Sequence, residues 1–266
     1  MTDSILPILR EASKVILDIY ADEDRFHTEV KKDHSPLTEA DKRSNKIICE
    51  ALAELYPEIP VISEESKQVE YAIRAGYKSF FLVDPLDGTK EFIKRNGEFT
   101  INIAYVEGNR SVGGFVYIPC SDLAYMAELG NGSWRVGTDN QKTTLKSEPF
   151  YLMDRGIRVV ASRSHIDDLT SNMISQLNMP EIVSVGSSLK FLLLAEGKAH
   201  FYPRLAPTME WDTAAAQCIL EEAGGSVLQL NNLQPVVYNK PDLLNPYFMA
   251  MGALLDPESL FKPPAP

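Results

Sequence analysis

The chain has 266 residues, of which 44% are hydrophobic and 24% are charged, and its formal net charge is -11 at pH 7. This length predicts one large domain or two modest ones with an ample core, and the negative charge argues against binding to the backbone of nucleic acid polymers. Three widely separated cysteines form neither a disulfide framework nor a metal motif. Because no apolar run approaches the roughly 18 residues of a membrane span, and the N-terminus lacks a signal-peptide core, we expect a cytoplasmic protein.

The first part of the chain predicts helices followed by an antiparallel sheet. Apolar residues recur at helical spacing over residues 5–20 and again over 38–57. An apolar run at 79–83 predicts a buried strand. Alternating apolar residues, interrupted by turn residues, then predict an antiparallel meander over residues 99–134.

The pattern changes near residue 150, after which predicted strands and helices alternate as in an α/β arrangement. We therefore expect two halves. Residues 1–150 would form an α+β half with the antiparallel sheet and most of the acidic motifs, and residues 151–266 an α/β half. No low-complexity linker separates them, which favours a broad interface between the two halves.

The segment VDPLDGTKEF, residues 83–92, places two carboxylates at the end of a predicted strand. Pro85 favours an extended conformation for Asp84, which exposes backbone carbonyls. Gly88 permits a left-handed backbone, and a helix that begins after it would point its N–H groups back at Asp84 and Asp87. Carboxylate and carbonyl oxygens suit Mg²⁺ and N–H groups suit phosphate, so the segment predicts a metal-assisted phosphoryl site. The alternative is an ordinary turn.

Further acidic positions have both a structural and a functional interpretation. Glu64 and Glu65 follow a short apolar strand, where paired glutamates usually form a solvated turn. Asp212 stands at the start of a predicted helix, where it would serve as the N-cap. Thr38 and Asp41 fit a capping box. None of these patterns alone distinguishes a turn or a cap from metal chemistry.

Taken together, the motifs resemble those of the inositol monophosphatase superfamily of lithium-sensitive, Mg²⁺-dependent phosphatases. Their order is Thr-x-x-Asp, Glu-Glu, Asp-Pro-Leu-Asp-Gly-Thr and Trp-Asp-x-x-Ala, starting at Thr38, Glu64, Asp84 and Trp211. The resemblance covers residues 4–252. Within the superfamily, DGTKEFIKRNGEFTINIA, SRSH, VGSSLKF and YPRLAPT are most similar to the bacterial CysQ branch of 3′(2′),5′-bisphosphate nucleotidases. The resemblance implies a layered αβαβα sandwich, as in inositol monophosphatases and fructose-1,6-bisphosphatases.

The resemblance also implies the roles of the site residues. Asp41 and Thr89 would orient or deprotonate the attacking water, with Glu64 as a further catalytic group. The N–H groups of Gly88 and Thr89 would hold the phosphate that is cleaved. Two or three Mg²⁺ ions are implied, with inhibition by Li⁺. The implied metal ligands, most of which would also contact the substrate, are Glu64, Asp84, the Leu86 carbonyl, Asp87 and Asp212.

Loop residues of the second half are expected to determine specificity. Lys190, together with Arg204, would meet the 5′-phosphate that is not cleaved, and His165 would pack on the adenosine or hydrogen-bond to it. The serines of these loops are also good N-cap residues, and His165 could simply end a loop, so both interpretations stay open. The set comprises Ser164, His165, Ser187, Ser188 and Lys190.

The function implied is hydrolysis of the 3′-phosphate of adenosine 3′,5′-bisphosphate (PAP) to AMP and phosphate, extending to conversion of 3′-phosphoadenosine 5′-phosphosulfate (PAPS) to adenosine 5′-phosphosulfate, in sulfate assimilation. The alternatives are an inositol or small-sugar phosphatase with the same metal site and a non-enzymatic metal-binding or lipid-surface protein. We expect a small nucleotide as the partner, with no nucleic acid polymer and no obligatory protein partner. The expected state is a monomer or homodimer in the cytoplasm, with contact to the inner membrane left open.

Overall fold

The computed structural model describes residues 1–22, 28–30, 36–161 and 168–260. Its α-helices are α1 Thr2–Ala21, α2 Glu39–Leu55, α3 Tyr71–Arg74, α4 Thr89–Ile93, α5 Asp168–Ser175, α6 Leu189–Ala195 and α7 Ala214–Glu222. Its strands are β1 Thr28–Val30, β2 Pro36–Thr38, β3 Val61–Ser63, β4 Ser79–Asp87, β5 Thr100–Glu107, β6 Arg110–Ile118, β7 Leu123–Glu128, β8 Ser133–Val136, β9 Lys142–Thr144, β10 Pro149–Phe150, β11 Arg158–Ala161, β12 Glu181–Ser184, β13 Phe201–Arg204, β14 Ser226–Gln229, β15 Phe248–Met251 and β16 Ala253–Leu254.

The two long helices pack on one face of the larger sheet because each carries one apolar stripe. In α1, apolar residues recur every three or four positions, and Ile5, Leu9 and Ile16 have no exposed surface. Helix α2 begins after Thr38 through the capping box that the sequence predicts, and it buries Ile48 and Leu52. These side chains share one core with the sheet, so the two predicted helices are confirmed.

The larger sheet has seven strands in the order β3-β4-β5-β6-β7-β8-β9. Only the β3–β4 pair is parallel; the others are antiparallel, and β5 to β8 form the predicted meander. Strand β4 is longer than the predicted 79–83. It continues to Asp87, but its pairing with β5 shifts register between Asp84 and Asp87, because Pro85 has no N–H to contribute to the ladder. The acidic motif therefore occupies an irregularity at the strand end.

The second sheet and a middle layer of helices complete the arrangement. The order of the five strands is β12-β11-β13-β15-β14; β11 is parallel to β12 and β13, and β15 is antiparallel to β13 and β14. Residues of both sheets share one core with α6 and α7, which lie between them, whereas α5 packs on the outer face of the second sheet. The layers are therefore αβαβα, and the predicted fold class is confirmed.

Helix α7 lies directly against the larger sheet because both surfaces are made of small residues. A Cβ atom on Gly114 of β6 would lie 2.2 Å from the carbonyl oxygen of Ala215, so only glycine allows this approach. The 3-10 helix Glu210–Asp212 comes just before α7 and contacts β4 and β5. The close packing therefore places Asp212 beside the end of β4.

The larger sheet lies within residues 61–144 and the smaller one within 158–251. The division of the chain at residue 150 stays a prediction. Within the described ranges, no helix is both long and apolar enough to cross a bilayer.

Candidate active site

Three carboxylates meet where β3, β4 and the 3-10 helix before α7 come together. Carboxylate oxygens of Glu64, Asp84 and Asp212 all lie within 4.8 Å of one another. The parallel pairing of β3 with β4 matches Ser63 to Val83, so the next residue of each strand is an acidic one at the same sheet edge. We call these three residues the carboxylate cluster. Glu65, the second glutamate of the pair, is not part of it.

Burial and mutual repulsion perturb the carboxylate cluster. Asp84 is 1% exposed, and burial, followed by the charges of Glu64, Asp87 and Asp212, raises its pKa well above the ordinary value. The Leu86 N–H, which donates to Asp84 Oδ1 at 3.0 Å, acts in the opposite direction. Burial and the charges of Asp87 and Glu64 likewise raise the pKa of Asp212. Hard oxygen donors that repel one another at this distance fit a divalent cation such as Mg²⁺.

Asp87 lies beside the cluster and is held by the loop before α6. Its Oδ2 atom accepts hydrogen bonds from Ser187 Oγ at 2.5 Å, from Ser188 N at 2.7 Å and from Ser188 Oγ at 2.9 Å. The Leu86 carbonyl, also predicted as a metal ligand, accepts from Thr89 Oγ1 at 3.3 Å. The structure thus brings every predicted metal ligand to one edge of the sheet, and the metal-binding roles themselves stay predictions.

Asp41 makes the contacts expected from both of its interpretations, the capping contact through one carboxylate oxygen and the Thr89 contact through the other. Oδ2 accepts the Thr38 N–H at 2.7 Å and the Thr38 hydroxyl at 2.5 Å, which completes the capping box. Oδ1 accepts the Thr89 hydroxyl at 3.1 Å. Asp41 is 2% exposed. The cap therefore orients the carboxylate toward Thr89 and does not compete with that contact.

Gly88 makes the turn between the acidic motif and α4. Its φ of 90° lies in the left-handed region, and a Cβ atom there would be 3.1 Å from the Glu98 carbonyl oxygen and 3.2 Å from Ser187 Cβ. A side chain at this position would therefore be strained by the backbone conformation and tightly crowded by its neighbours. Helix α4 begins directly after it, at Thr89.

One of the sequence-based alternatives is wrong, and a second is right in position only. Asp212 is not the N-cap of α7; Thr213 holds that position, and Asp212 Oδ2 instead accepts the Met209 N–H at 2.8 Å. Ser188 is at the N-cap position of α6, but its side chain makes no capping bond. Its hydroxyl donates to Asp87 and to the carbonyl of Asp212, because the loop points it into the site and away from the helix.

A cleft of about 350 Å³ joins the acidic motif to the predicted specificity residues. Lys190 is 9% exposed, and its Nζ atom donates to the Ser187 carbonyl at 3.0 Å and lies 5.7 Å from the centre of the Tyr202 ring. Burial lowers the pKa of Lys190, and the nearby Asp87 carboxylate opposes that shift. Residues that line the cleft include Asp87, Gly88, Ser187, Lys190, Arg204 and Asp212. Ser164 and His165 fall outside the described residues.

The sequence analysis missed two polar residues on β5. Thr100 and Asn102 are buried on the same face of the strand. Asn102 Nδ2 donates to Ser188 Oγ at 2.9 Å, and the hydroxyls of Thr100 and Ser187 lie 2.8 Å apart. The signal was two polar residues two positions apart in an otherwise apolar strand, since such residues share one face. They connect β5 to the loop that holds Asp87.

The sequence matches the profile of the inositol monophosphatase family over residues 2–253. The chain belongs to this family. Among its relatives, the 3′(2′),5′-bisphosphate nucleotidase CysQ of Salmonella typhimurium is 40% identical over 93% of this chain and 98% of that protein. The protein of the same name from Escherichia coli K12 is 38% identical over the same shares.

Solved structures of family members agree with the observed layers. CysQ from Bacteroides thetaiotaomicron, described as a bacterial member of the inositol monophosphatase family, is 38% identical with a TM-score of 0.81, covering 95% of this chain and 97% of that one. An IMPase from Thermotoga maritima is 22% identical with a TM-score of 0.76, covering 97% and 94%, and this likeness concerns the fold alone. The resemblance drawn from the motifs is therefore confirmed at the level of the family.

Proposed function

We propose that the chain is a Mg²⁺-dependent 3′(2′),5′-bisphosphate nucleotidase that hydrolyses the 3′-phosphate of PAP to give AMP and phosphate. The observation that carries the proposal is that one cleft is lined both by the predicted metal ligands Asp87 and Asp212 and by two cationic residues, the buried Lys190 and Arg204. A bisphosphate has one phosphate for the metal ligands and a second for the cationic residues. The relatives named 3′(2′),5′-bisphosphate nucleotidase, near 40% identity over almost their whole length, support the same substrate class.

The carboxylate cluster, together with Asp87 and the Leu86 carbonyl, would hold the metal. Bound there, Mg²⁺ would neutralise charge on the phosphate and lower the pKa of a water molecule. The number of ions, and inhibition by Li⁺, belong to the same proposal. Titration of activity against Mg²⁺, followed by addition of Li⁺ at saturating Mg²⁺, tests both.

The chain's own groups would manage the proton of the attacking water. Thr89 Oγ1 donates to Asp41 Oδ1, so a proton of the water can pass to Thr89 Oγ1 as the Thr89 proton passes to Asp41. The water oxygen then bonds to phosphorus, the bond from phosphorus to the 3′-oxygen breaks, and that oxygen takes a proton from solvent. The N–H groups of Gly88 and Thr89 would hold the phosphate during the reaction.

The second phosphate would determine specificity. Lys190 and Arg204 would bind the 5′-phosphate, and a substrate without that group would leave a buried cation without its anion, which is penalised far more than a lost apolar contact. The same subsite would accept the 5′-phosphosulfate of PAPS. His165 is proposed to contact the adenosine.

A substrate panel tests the proposal. We expect kcat/KM for PAP to exceed that for inositol 1-phosphate by roughly 10² or more, the range for a site with an unmet polar or charged group. Preference for the inositol ester would favour an inositol or sugar phosphatase, and absence of phosphate release with every ester in Mg²⁺ would favour a binding protein. We also propose action in the cytoplasm without an obligatory protein partner, which fractionation and gel filtration of the wild-type protein test.

A further inference from the structure

The loop at residues 185–188 arranges several parts of the site at once. Ser187 has a φ of 50°, in the left-handed region that non-glycine residues rarely adopt. From this conformation its hydroxyl reaches Asp87 and its carbonyl receives the Lys190 ammonium. Ser188 adds its N–H to Asp87. A shift of this loop would therefore move Lys190 and loosen Asp87 together.

Glu98, which comes just before β5, contacts this loop through its side chain. Its Oε2 atom accepts the Gly186 N–H at 2.8 Å. Glu98 is itself positioned by Asn96, whose Oδ1 accepts the Glu98 N–H at 2.9 Å. The bond between Glu98 and Gly186 joins the acidic-motif side of the cleft to the loop that carries Ser187.

The backbone of Glu98 fits between two glycines. A Cβ atom on Gly186 would lie 2.8 Å from Glu91 Cγ and 3.2 Å from the Glu98 carbonyl oxygen, and one on Gly88 would lie 3.1 Å from the same oxygen. Gly186 does not have a left-handed φ, so glycine is required there by space and not by backbone conformation. The loop is therefore seated on residues 91 and 98 with no room for a methyl group.

We infer that Glu98 is a positioning residue for nucleotide binding: through its bond to the Gly186 N–H it holds the 185–188 loop in the conformation that presents Lys190 to the second phosphate of the substrate. The inference rests on the proposed nucleotidase function and deepens it. Glu98 positions the loop through the hydrogen bond and its charge also favours the charged form of Lys190, so an amide of the same length should replace the carboxylate in part.

The test compares Glu98→Ala with Glu98→Gln in steady-state hydrolysis of PAP at saturating Mg²⁺. Loss of a hydrogen bond to a charged acceptor predicts a roughly tenfold rise in KM for Glu98→Ala. Any fall in kcat should be smaller than the rise in KM, because Asp87 loses contacts with the loop but is still held in place by β4. Glu98→Gln keeps an acceptor oxygen but loses the charge, so its KM should lie between those of the wild type and Glu98→Ala. A thermal unfolding curve for each variant shows whether the fold is intact.

Gly186→Ala provides a second test that leaves Glu98 unchanged. Its methyl group should displace the loop and raise KM as Glu98→Ala does. Gly137→Ala is the matched control, because a Cβ there would meet its nearest atoms at an ordinary 3.6 Å, and it should behave as wild type.

Three results would overturn the inference: an unchanged KM in Glu98→Ala and Gly186→Ala, equal impairment of Glu98→Gln and Glu98→Ala, or a fall in kcat without a rise in KM. Failure of the proposed function is a different result, namely wild-type protein that does not hydrolyse PAP, and it would remove the inference together with its premise.

Discussion

Glu210 and Asp212, two residues apart in the chain, belong to two buried acidic regions. The regions differ in the charged groups that surround each carboxylate. Glu210 has no exposed surface, and it accepts the N–H groups of Asn239 at 2.6 Å and Lys240 at 3.0 Å and pairs with the Lys240 ammonium. Asp212 is grouped instead with Glu64 and Asp84. Burial raises the pKa in both regions, but Lys240 opposes this at Glu210 whereas neighbouring carboxylates add to it at Asp84.

The difference separates a structural carboxylate from the proposed metal ligands. Around Glu210 the protein supplies the counter-charge itself, and the ion pair fixes the turn that leads to Asp212. In the carboxylate cluster the protein adds further negative charge. Such an arrangement destabilises the fold by itself, and it is expected where a ligand provides the opposite charge. This contrast predicts opposite effects on stability: neutralising Glu210 should destabilise the fold, whereas neutralising Asp84 should stabilise it in the absence of metal.

The largest effect is expected from Asp84→Asn. A neutral amide binds a hard dication far less well than a carboxylate, so phosphate release from PAP should be abolished. EDTA should abolish it reversibly in the wild type.

The Asp84→Asn variant should also unfold at a higher temperature than wild type when both are in EDTA. A carboxyl whose pKa rises on folding destabilises the native state above its unfolded-state pKa, and the amide removes that cost at neutral pH.

Asp139→Asn is the matched control, since Asp139 is an exposed turn residue that accepts the Gln141 N–H. It should retain activity. Near-native turnover by Asp84→Asn, or full activity in EDTA, would contradict the metal assignment. A lower unfolding temperature for Asp84→Asn in EDTA would contradict the claim that the cluster destabilises the fold.

The Asp41 and Thr89 pair should have the next largest effect. Asp41→Asn and Thr89→Ala are each expected to lower kcat by roughly 10² to 10⁴, the range for a positioned acid-base group, while the Mg²⁺ concentration for half-maximal activity changes less. Thr89→Ser keeps the hydroxyl and serves as the control. If both groups act on one water, as proposed, the double variant should lose little more than either single variant. A loss equal to the product of the two single losses would show that they act separately.

Local patterns predicted much of this site. The capping box at Thr38, the turn at Gly88 and the acidic strand ends follow from the preferences of neighbouring residues, and the ligand motifs were sufficient to indicate the family. The antiparallel meander was also predictable because its turn residues interrupt an alternating pattern. These features depend on contacts within about ten residues along the chain.

Features that depend on distant contacts were not predictable. Ser188 does stand at the N-cap position, but the sequence does not show that β5 lies opposite, where Asn102 donates to its hydroxyl. Asp212 resembled an N-cap because nothing local indicates the preceding 3-10 turn that its side chain closes. The left-handed φ of Ser187 is similarly set by the loop's packing and not by its own preference.

Glu210→Gln tests the other side of the comparison. Removing one partner of a buried ion pair leaves the other charge uncompensated, so the free energy of unfolding should fall by about 3 kcal/mol. This is opposite in sign to the effect of Asp84→Asn in EDTA. Urea unfolding measures it, with Glu39→Gln as the control, because the Glu39 and Arg43 pair is exposed and should matter much less. Equal effects of the two glutamine variants would show that burial of Glu210 does not make its ion pair important.

The smallest effect, on KM alone, is expected from Lys190→Met. Both Lys190 and Lys240 are cations beside buried acidic groups, but Lys240 pairs with Glu210 whereas Lys190 donates to a backbone carbonyl and lines the cleft. Methionine keeps the apolar stem over Tyr202 and removes the charge. KM for PAP should rise roughly tenfold, the value of a charge-assisted hydrogen bond, with little change in kcat/KM for inositol 1-phosphate.

Stability distinguishes this role from a structural one. Burial lowers the pKa of Lys190, so its charged form opposes folding at neutral pH, and Lys190→Met should unfold at the wild-type temperature or above. Lys198→Met, at an exposed lysine that pairs with Glu196, should change neither KM nor stability. If Lys190→Met weakens both substrates equally, the second phosphate does not bind at Lys190. If Lys190→Met unfolds at a lower temperature than wild type, Lys190 has a structural role like that of Lys240. Arg204 would then supply the positive charge that binds the second phosphate.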